Sequence, residues 1–226
     1  MKESIKNNGL ALAGYAAVCT LLVAVVHMLT KDTIIEQEQK VLLQTLNAVL
    51  PSDAYDNELA KDCILVIDKP ALGNDKPHQL YRAYKDGQPA GAIIETTAPD
   101  GYTGSIQLMT AFLIDGTVTG VRVLKHQETP GLGDKIDERK SDWIDSFNGY
   151  KVKGEDDQRW AVKKDNGIFD QFTGATITPR AVVQSVKNTA LYFQQNHSMI
   201  FASEDLCPPQ AQTKAQKTSQ EQEQPQ

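Results

Sequence analysis

The chain has 226 residues, of which 40% are hydrophobic and 23% charged, so its composition is that of a globular protein. This length allows one ordinary folded domain with additional segments. The net charge is −6 and no segment concentrates Lys and Arg, which argues against a nucleic-acid partner, because phosphate backbones are bound by clustered cations. The three cysteines, Cys19, Cys63 and Cys207, lack the spacing of a metal or redox site, so no metal ligands are predicted.

The first predicted element is an apolar segment at residues 9–30 that contains no Asp, Glu, Lys or Arg. As a helix, about twenty residues span roughly 30 Å, which is the thickness of the hydrocarbon core of a bilayer. A cleaved signal peptide would have a shorter apolar region, typically about 7 to 15 residues, and a small-residue cleavage site, which does not follow Met28. We therefore predict an uncleaved transmembrane helix that anchors the chain in membrane lipid.

Positive charges on the short N-terminal segment, residues 1–8, set the predicted orientation in the membrane. Lys2 and Lys6 precede the apolar segment, and positive charge beside a membrane helix is retained in the cytoplasm, although Lys31 on the far side weakens this bias. His27 lies within a turn of the interface, where its ring is expected to reach the headgroups. The rest of the chain is therefore predicted to lie on the periplasmic side of the inner membrane of a bacterium.

Residues 31–51 are predicted to form a stalk helix, because apolar residues recur near helical spacing until Pro51. Five segments rich in Ile, Val, Thr and Tyr are then predicted as strands: residues 63–67, 79–85, 90–97, 105–114 and 117–124. The Asp-Gly pairs at 86–87 and 115–116 separate neighbouring strands and favour tight hairpin turns. The sheet is therefore predicted to be mixed or antiparallel, which excludes a purely parallel Rossmann sheet.

Residues 142–147 are predicted to form a short helix with aromatic residues in the core, and a strand is predicted near residues 160–163. A final helix is predicted to open at Pro179 and to run to about Gln195, with Thr178 as its N-cap. The polar residues 201–226 are predicted to be a disordered Gln-rich tail. The pattern indicates an α+β fold, in which residues 52–200 form the domain and helices flank the sheet.

Two of the cysteines leave alternatives open. Cys19 falls inside the apolar segment, so Cys63 and Cys207 are the pair that could form a disulfide, provided that the domain lies in an oxidising compartment. Two unpaired buried thiols are the other possibility.

Residues 170–180, DQFTGATITPR, place a flexible glycine and several hydroxyl groups just before a predicted helix. Helix N-termini bind phosphate, because unpaired N–H groups and the positive end of the dipole face the anion. Thr178 therefore stands where a phosphoester is favourable, but a plain capping threonine, worth about 1 kcal/mol, explains the spacing equally well. Arg180, Lys163 and Lys164 could compensate a phosphate charge, although exposed cations are ordinary.

The same segment resembles the flavinylation motif Asp-x-x-Ser/Thr-Gly-Ala-Ser/Thr-x-Thr of the FMN-binding domains in bacterial Rnf complexes and in the Na+-translocating NADH:quinone reductases, where it occurs in the C subunit. A second segment, HQETPGLG at residues 126–133, resembles the E-T-P-G-x-G stretch that lies against the flavin in that family. The resemblance is strongest to the family of Rnf (Rsx) G subunits. It extends from about residue 2 to about residue 195 and leaves the Gln-rich tail outside.

This resemblance implies one FMN per chain, joined covalently as a phosphoester to Thr178. It implies flavin contacts by a further set of residues: Asp170, Thr173, Gly174, Ala175, Thr176, Glu128, Thr129 and Leu132. It also implies a separate flavin transferase that takes FMN from FAD, releases AMP and uses Mg²⁺ itself. No catalytic residue and no metal ligand are therefore predicted in this chain, and no acid–base partner is expected beside Thr178.

The implied function is electron transfer in an ion-translocating complex of the inner membrane, with the other Rnf subunits as partners. Electron transfer would be coupled to ion translocation or to reduction of a redox-sensing regulator, with the ion path in multi-span subunits. The alternative from another class is a membrane-anchored periplasmic scaffold or ligand-binding module without redox activity. A stand-alone FMN reductase is disfavoured, because no GxGxxG sequence follows a predicted strand.

Overall fold

A computed structural model describes residues 2–204 and 206–207, with the side chains of 2–5 and 32 excepted. The chain divides into two compact units, one ending at Leu42 and the other beginning at Leu43. Helix α1 (Lys2–Val49) contributes residues to both units. The predicted membrane and stalk segments, residues 9–30 and 31–51, thus fall in one uninterrupted helix that ends shortly before Pro51.

The apolar part of α1 dominates the first unit. Among the described residues, the stretch Lys6–Lys31 is the one candidate membrane span, with a mean hydropathy of 2.3. None of its most apolar window is buried inside the protein. A soluble protein would cover an apolar helix of this length, because large apolar surfaces are not left in water. The structure therefore supports the predicted transmembrane helix.

The second unit is built on a five-stranded sheet whose strands lie side by side in chain order. These strands are β1 (Cys63–Val66), β2 (His78–Lys85), β3 (Gln88–Ala98), β4 (Ile106–Leu113) and β5 (Val118–Lys125). Every neighbouring pair is antiparallel, which confirms the predicted sheet. The β2–β3 turn contains Asp86 at φ 51° and Gly87 at φ 72°, the positive angles that an Asp-Gly hairpin turn requires.

One face of the sheet packs against the short helix α2 (Lys69–Leu72) and the long helix α3 (Ile177–Ala202). Phe112 on β4 stacks on Phe193 of α3 with ring centroids 5.3 Å apart. Aromatic rings from the segment between β5 and α3 extend this core: Trp143, Phe147, Trp160, Phe169 and Phe172. The burial of Trp143 and Phe147 confirms the core role predicted for residues 142–147, which form a 3₁₀ helix.

The last residues of α1 that belong to the second unit pack against β5. Gly120 pairs with Ala111 of β4, whose side chain points away from the Phe112 face because side chains alternate along a strand. A Cβ at Gly120 would lie 2.6 Å from Val49 Cα, so only glycine permits this approach. Leu46 and Val49 are buried here, and the compact unit therefore begins earlier than residue 52.

Two local predictions are wrong. No strand forms at residues 160–163, where Val162 makes only an isolated bridge to Phe169 because the chain turns directly into the 3₁₀ helix Lys163–Asp165. Helix α3 begins at Ile177 instead of Pro179 and continues to Ala202 instead of about Gln195. Near the end of α3, the buried Arg82 Nη1 donates a hydrogen bond to the carbonyl of Ile200 at 3.3 Å. Most of the predicted tail, from residue 208 onward, lies outside the described residues.

A disulfide joins Cys63 on β1 to Cys207 after α3, which settles the alternative that the sequence leaves open. The two Cα atoms are 5.2 Å apart although 144 positions separate the residues. The backbone N–H of Cys207 also donates to Cys63 O at 2.6 Å. Cys19 is free and exposed. The bridge therefore closes most of the domain into one loop.

We predict that Cys207→Ser lowers the free energy of unfolding by roughly 2–4 kcal/mol, because a cross-link over a long loop restricts the unfolded chain. Denaturant unfolding of the full chain in detergent measures this change. Cys19→Ser is the matched control and should leave the unfolding midpoint unchanged, since that thiol is exposed and unpaired. Equal midpoints for Cys207→Ser and the unsubstituted chain would contradict the prediction.

Glu95 on β3 generates a prediction about pH. Burial raises its pKa from 4.5 to about 7, and a hydrogen bond from the backbone of Gln79 opposes this shift in part. Folding therefore favours the neutral carboxyl, so the stabilisation is complete below pH 4.5 and is lost as the pH rises through about 7.

We expect Glu95→Gln to raise the free energy of unfolding by on the order of 2 kcal/mol at about pH 8 and to have little effect at about pH 5, because the amide stays neutral. Denaturant unfolding at both pH values measures the difference. Glu155→Gln, at an exposed position, is the control. A gain that is larger at the lower pH would show that burial of charge at Glu95 is not the cause.

Candidate functional site

Residues 170–178 form a tight turn that leads into α3. Phe172 and Ala175 form an isolated bridge, and the Ala175 N–H donates to Phe172 O at 3.1 Å. Gly174 has a φ of 79°, which side chains rarely adopt, so the turn requires glycine there. The Phe172 ring packs 5.1 Å from the Trp143 ring, measured between centroids. The core thus fixes the base of the turn, while Thr173 and Gly174 are exposed at its tip.

The sequence predicts that Thr178 is the N-cap of α3, and this prediction is wrong. The helix starts at Ile177, its N-cap is Thr176, and the Thr176 side chain makes no capping hydrogen bond. The Thr178 hydroxyl instead donates to Oε2 of Glu128. Thr178 is 0% exposed and Glu128 is 4% exposed. A buried carboxylate therefore holds the hydroxyl of the threonine that the motif singles out.

Glu128 is oriented by groups from two connections of the sheet. It follows the end of β5, and the β3–β4 connection lies at the same end because the three strands are antiparallel neighbours. From that connection Thr103 N–H donates to Glu128 Oε1 at 3.2 Å. The Glu128 N–H donates to His126 Nδ1 at 3.1 Å, which leaves the ring proton on Nε2. One carboxylate oxygen therefore faces Thr103 and the other faces Thr178.

The turn after Glu128 closes over Thr178. The carbonyl of Thr129 accepts from the N–H of Leu132 at 3.1 Å, and the 3₁₀ helix Gly133–Ile136 follows. A Cβ at Gly133 would lie 2.7 Å from both Glu128 Oε2 and Thr178 Oγ1. A side chain at position 133 would therefore displace the Glu128 carboxyl group or the Thr178 hydroxyl.

The structure brings the two motif segments together. Glu128 meets Thr178, and the Leu132 side chain lies 3.8 Å from the position of a Cβ at Gly174. Gly133, which lies between them, is not among the residues that the sequence predicts at the site. Its only signal in the sequence is its place in the HQETPGLG segment.

The remaining residues that the sequence predicts as flavin contacts make hydrogen bonds or packing contacts within the protein. The Asp170 carboxylate accepts from Lys163 Nζ at 2.6 Å, and its carbonyl accepts from Trp143 Nε1 at 2.7 Å. Thr129 closes the turn through its carbonyl, Thr176 accepts the Arg180 N–H, and Ala175 packs against the core. Their proposed contacts with a flavin stay predictions.

Two of the side-chain cations near the motif pair with aspartates, Lys163 with Asp170 and Arg180 with Asp165. Arg180 binds Asp165 through one edge of its guanidinium, where Nε donates to Oδ2 at 2.5 Å and Nη2 donates to Oδ1 at 2.6 Å. This pairing lowers the pKa of Asp165 and raises that of Arg180. The positive element next to Thr178 is therefore the first turn of α3, where N–H groups have no acceptor within the helix.

The sequence predicts no acid–base partner beside Thr178, and the structure places a carboxyl group next to its hydroxyl. Glu128 lies there although 50 positions separate the two residues. The sequence marks Glu128 as a flavin contact, but nothing in the spacing of the two segments indicates that their side chains meet.

A surface cleft of about 380 Å³ lies along the first turns of α3. Its lining includes Ile177, which precedes Thr178, together with Ala181 and Trp160, but neither Thr178 nor any of the predicted flavin contacts. Trp160 is 3% exposed, and its Nε1–H has no hydrogen-bond partner among the described residues. Small-molecule sites typically measure about 300–1,000 Å³, so the cleft has room for part of a planar ligand.

Two family models match this chain and define its class. The FMN-binding domain matches residues 101–190, a span that contains both motif segments and most of their supporting elements. The RnfG N-terminal region matches residues 1–49, which is the length of α1. The protein is therefore an FMN-binding protein with an N-terminal apolar helix, and FMN is its cofactor.

Relatives over nearly the whole chain make the assignment more specific. The chain is 56% identical over 197 residues to the G subunit of the ion-translocating oxidoreductase complex of Yersinia pestis, covering 86% of this chain and 92% of that protein. It is 52% identical over 207 residues to the corresponding G subunit of Vibrio cholerae, covering 92% and 99%. With the G subunit of Pseudoalteromonas atlantica the identity is 49% over 207 residues, covering 92% and 96%. The chain belongs to the family of G subunits of ion-translocating oxidoreductase complexes, which confirms the predicted family.

Proposed function

We propose that this chain is the redox subunit of an Rnf-type complex and that it passes electrons through one FMN joined as a phosphoester to Thr178. The observation that supports this attachment is the position of the Thr178 hydroxyl. It lies in the first turn of α3, where N–H groups favour an anion, and it neither caps the helix nor bonds to the helix backbone. The hydroxyl thus donates its hydrogen bond to a carboxylate and not to the backbone of the helix.

The residues at the site would hold the flavin and leave its chemistry to the cofactor. FMN supplies reversible one- and two-electron transfer when bound. Attachment through the phosphate leaves the ring system unmodified, so the chain can tune it only through surrounding contacts. Gly174 and Leu132 would line the approach to Thr178, and the further contacts proposed are Asp170, Thr173, Ala175, Thr176, Glu128 and Thr129.

The proposed partners follow from the single membrane helix and from the relatives. The relatives are named as subunits of a complex, so the other Rnf subunits are expected to bind this chain. One helix cannot form an ion path by itself, which assigns ion translocation to those subunits. A flavin transferase would load the FMN, and electron flow would serve ion translocation or the reduction of a redox-sensing regulator.

We place the folded domain on the periplasmic side of the inner membrane. Lys2 and Lys6 precede the apolar helix and favour a cytoplasmic N-terminus. The Cys63–Cys207 disulfide is typical of an oxidising compartment.

The attachment is tested by the mass of the protein purified from cells that also express a flavin transferase. We expect an FMN phosphoryl adduct on the peptide that contains Thr178, and covalent flavin fluorescence in a denaturing gel. Thr178→Ala should lose both signals, whereas Thr33→Ala should keep them, because Thr33 is an exposed threonine of α1 that no proposed flavin contact involves. An unmodified Thr178 beside an active transferase would contradict the proposal and favour a scaffold without redox activity.

The orientation is tested by labelling intact cells with a thiol reagent that does not cross the inner membrane. In a Cys19→Ser background, Gln88→Cys in the exposed β2–β3 hairpin should react, and Asn7→Cys should react only after lysis. The reverse pattern would place the domain in the cytoplasm.

A further inference from the structure

The Thr178 hydroxyl differs from three other threonine hydroxyls of the helices. Thr189, equally buried on α3, donates to Ser185 O at 2.8 Å, and Thr20 and Thr30 on α1 also donate to carbonyls four residues earlier. These bonds satisfy the hydroxyl within its own helix. Thr178 donates instead to a carboxylate 50 positions away. A carboxylate is the acceptor that can also remove the proton.

Building on the proposed attachment of FMN to Thr178, we infer that Glu128 is the base that takes the proton of Thr178 Oγ1 when the flavin is transferred. A threonine hydroxyl is a weak nucleophile and needs an adjacent base to attack phosphorus. Glu128 Oε2 touches the reacting atom, so Glu128 is a catalytic residue of this transfer. The acceptor chain, and not only the transferase, thus contributes to the chemistry.

The surroundings of Glu128 suit this role. Its other oxygen is fixed by Thr103 N–H at 3.2 Å and approached by Thr103 Oγ1 at 3.4 Å. Among the described residues no cation forms an ion pair with it, whereas neighbouring Asp137 and Asp165 are bound by arginines. An ion pair would weaken the carboxylate as a base. Glu128 is thus oriented by the neutral donors of Thr103 and Thr178.

Gly133 is what allows the pair to meet. A side chain there would lie 2.7 Å from both Glu128 Oε2 and Thr178 Oγ1 and would separate them. Because Thr178 is 0% exposed, the turn at residues 129–133 must move aside to admit the phosphorus of FAD. Glu128 and Thr178 are already hydrogen-bonded to each other in the chain without FAD, so the base and the nucleophile are assembled before the substrate binds.

The step balances with FAD as the co-reactant. The Thr178 Oγ1–P bond forms to the FMN phosphorus, and the bond from that phosphorus to the bridging oxygen of the pyrophosphate breaks. AMP leaves with the electrons of the broken bond. The Oγ1 proton passes to Glu128, which neutralises the carboxylate next to the new anionic phosphodiester and removes the repulsion between them.

Other titratable groups surround Glu128 and must be separated from it. His126 contacts its backbone N–H, Asp134 follows Gly133, and Asp137 Oδ2 lies 3.8 Å from His126 Nε2. Side-chain hydrogen bonds from Arg139 lower the pKa of Asp137 to about 2, so Asp137 stays ionised wherever the transfer is measured. A pH effect that arises from His126 or Asp134 would persist when Glu128 is replaced.

The test measures transfer to the full-length apoprotein in detergent with purified transferase, FAD and Mg²⁺. Covalent flavin is followed by intact mass against time, at several concentrations of the acceptor chain and across a range of pH. Glu128→Gln keeps the shape and removes the base, and we expect its kcat to fall by about 100-fold or more, the lower end of the usual contribution of a general base. We also expect the unsubstituted chain to lose rate at low pH, because a protonated carboxyl cannot act as the base, and this variant to show no such loss.

Asp134→Asn is the matched control, because it removes a buried carboxylate of the same turn whose Oδ1 has no hydrogen-bond partner among the described residues. It should retain the rate and the pH profile of the unsubstituted chain. Glu128→Asp keeps the charge but withdraws it from Oγ1, so its rate should lie between those of the unsubstituted chain and Glu128→Gln, with the low-pH loss retained. This variant also decides the question if Glu128→Gln fails to fold.

The outcomes separate the two proposals. Transfer to Glu128→Gln at the unsubstituted rate, or a loss confined to KM for the acceptor chain, would overturn the role of Glu128 as base while flavin still appears on Thr178. If the unsubstituted chain itself takes no flavin on Thr178, the attachment fails first and the inference fails with it.

Discussion

The close approach of the 126–133 segment to the first turn of α3 is the constraint on which the site depends. It requires that position 133 carry no side chain, because a Cβ there would meet Glu128 and Thr178 at once. The approach also depends on the positions of two elements. β5 places the segment at one end of the sheet, and α3 packs across the same sheet with its N-terminus nearby. Interiors packed to this density tolerate little added volume, so a side chain at position 133 would have to displace the groups that it meets.

The aromatic core makes this arrangement rigid. Phe112 and Phe193 fix α3 to β4, while Trp143 and Phe172 hold the turn that precedes α3. The Trp143 indole also donates to Asp170 O, so the first residue of the flavin motif is anchored through its backbone. The exposed tip at Thr173 and Gly174 is therefore mounted on a packed base, which is the arrangement expected where binding residues lie on loops carried by a rigid scaffold.

Local patterns in the sequence suffice for much of the fold. Segments rich in Ile, Val, Thr and Tyr and the Asp86-Gly87 turn predict the antiparallel sheet, and the apolar stretch after Lys6 predicts the membrane helix. The start of α3 is mispredicted because Pro179 is a good first-turn residue, and the helix simply begins earlier, at Ile177. The predicted strand near Trp160 fails because the apolar residues there fill an aromatic core without pairing into a sheet. The Glu128–Thr178 contact could not be predicted, since it depends on tertiary packing that no spacing along the chain encodes.

The order of strands gives the Cys63–Cys207 bridge a further consequence. β1 is the first strand of an open five-stranded sheet, and such a strand presents unpaired backbone groups to any other extended chain. Cys207 covers part of that edge, because its N–H occupies the carbonyl of Cys63 while the disulfide holds it there. A chain whose thiols stayed reduced would leave the edge open to strand addition by a second molecule. The bridge thus ties residue 207 to the sheet edge at which a second chain could add a strand.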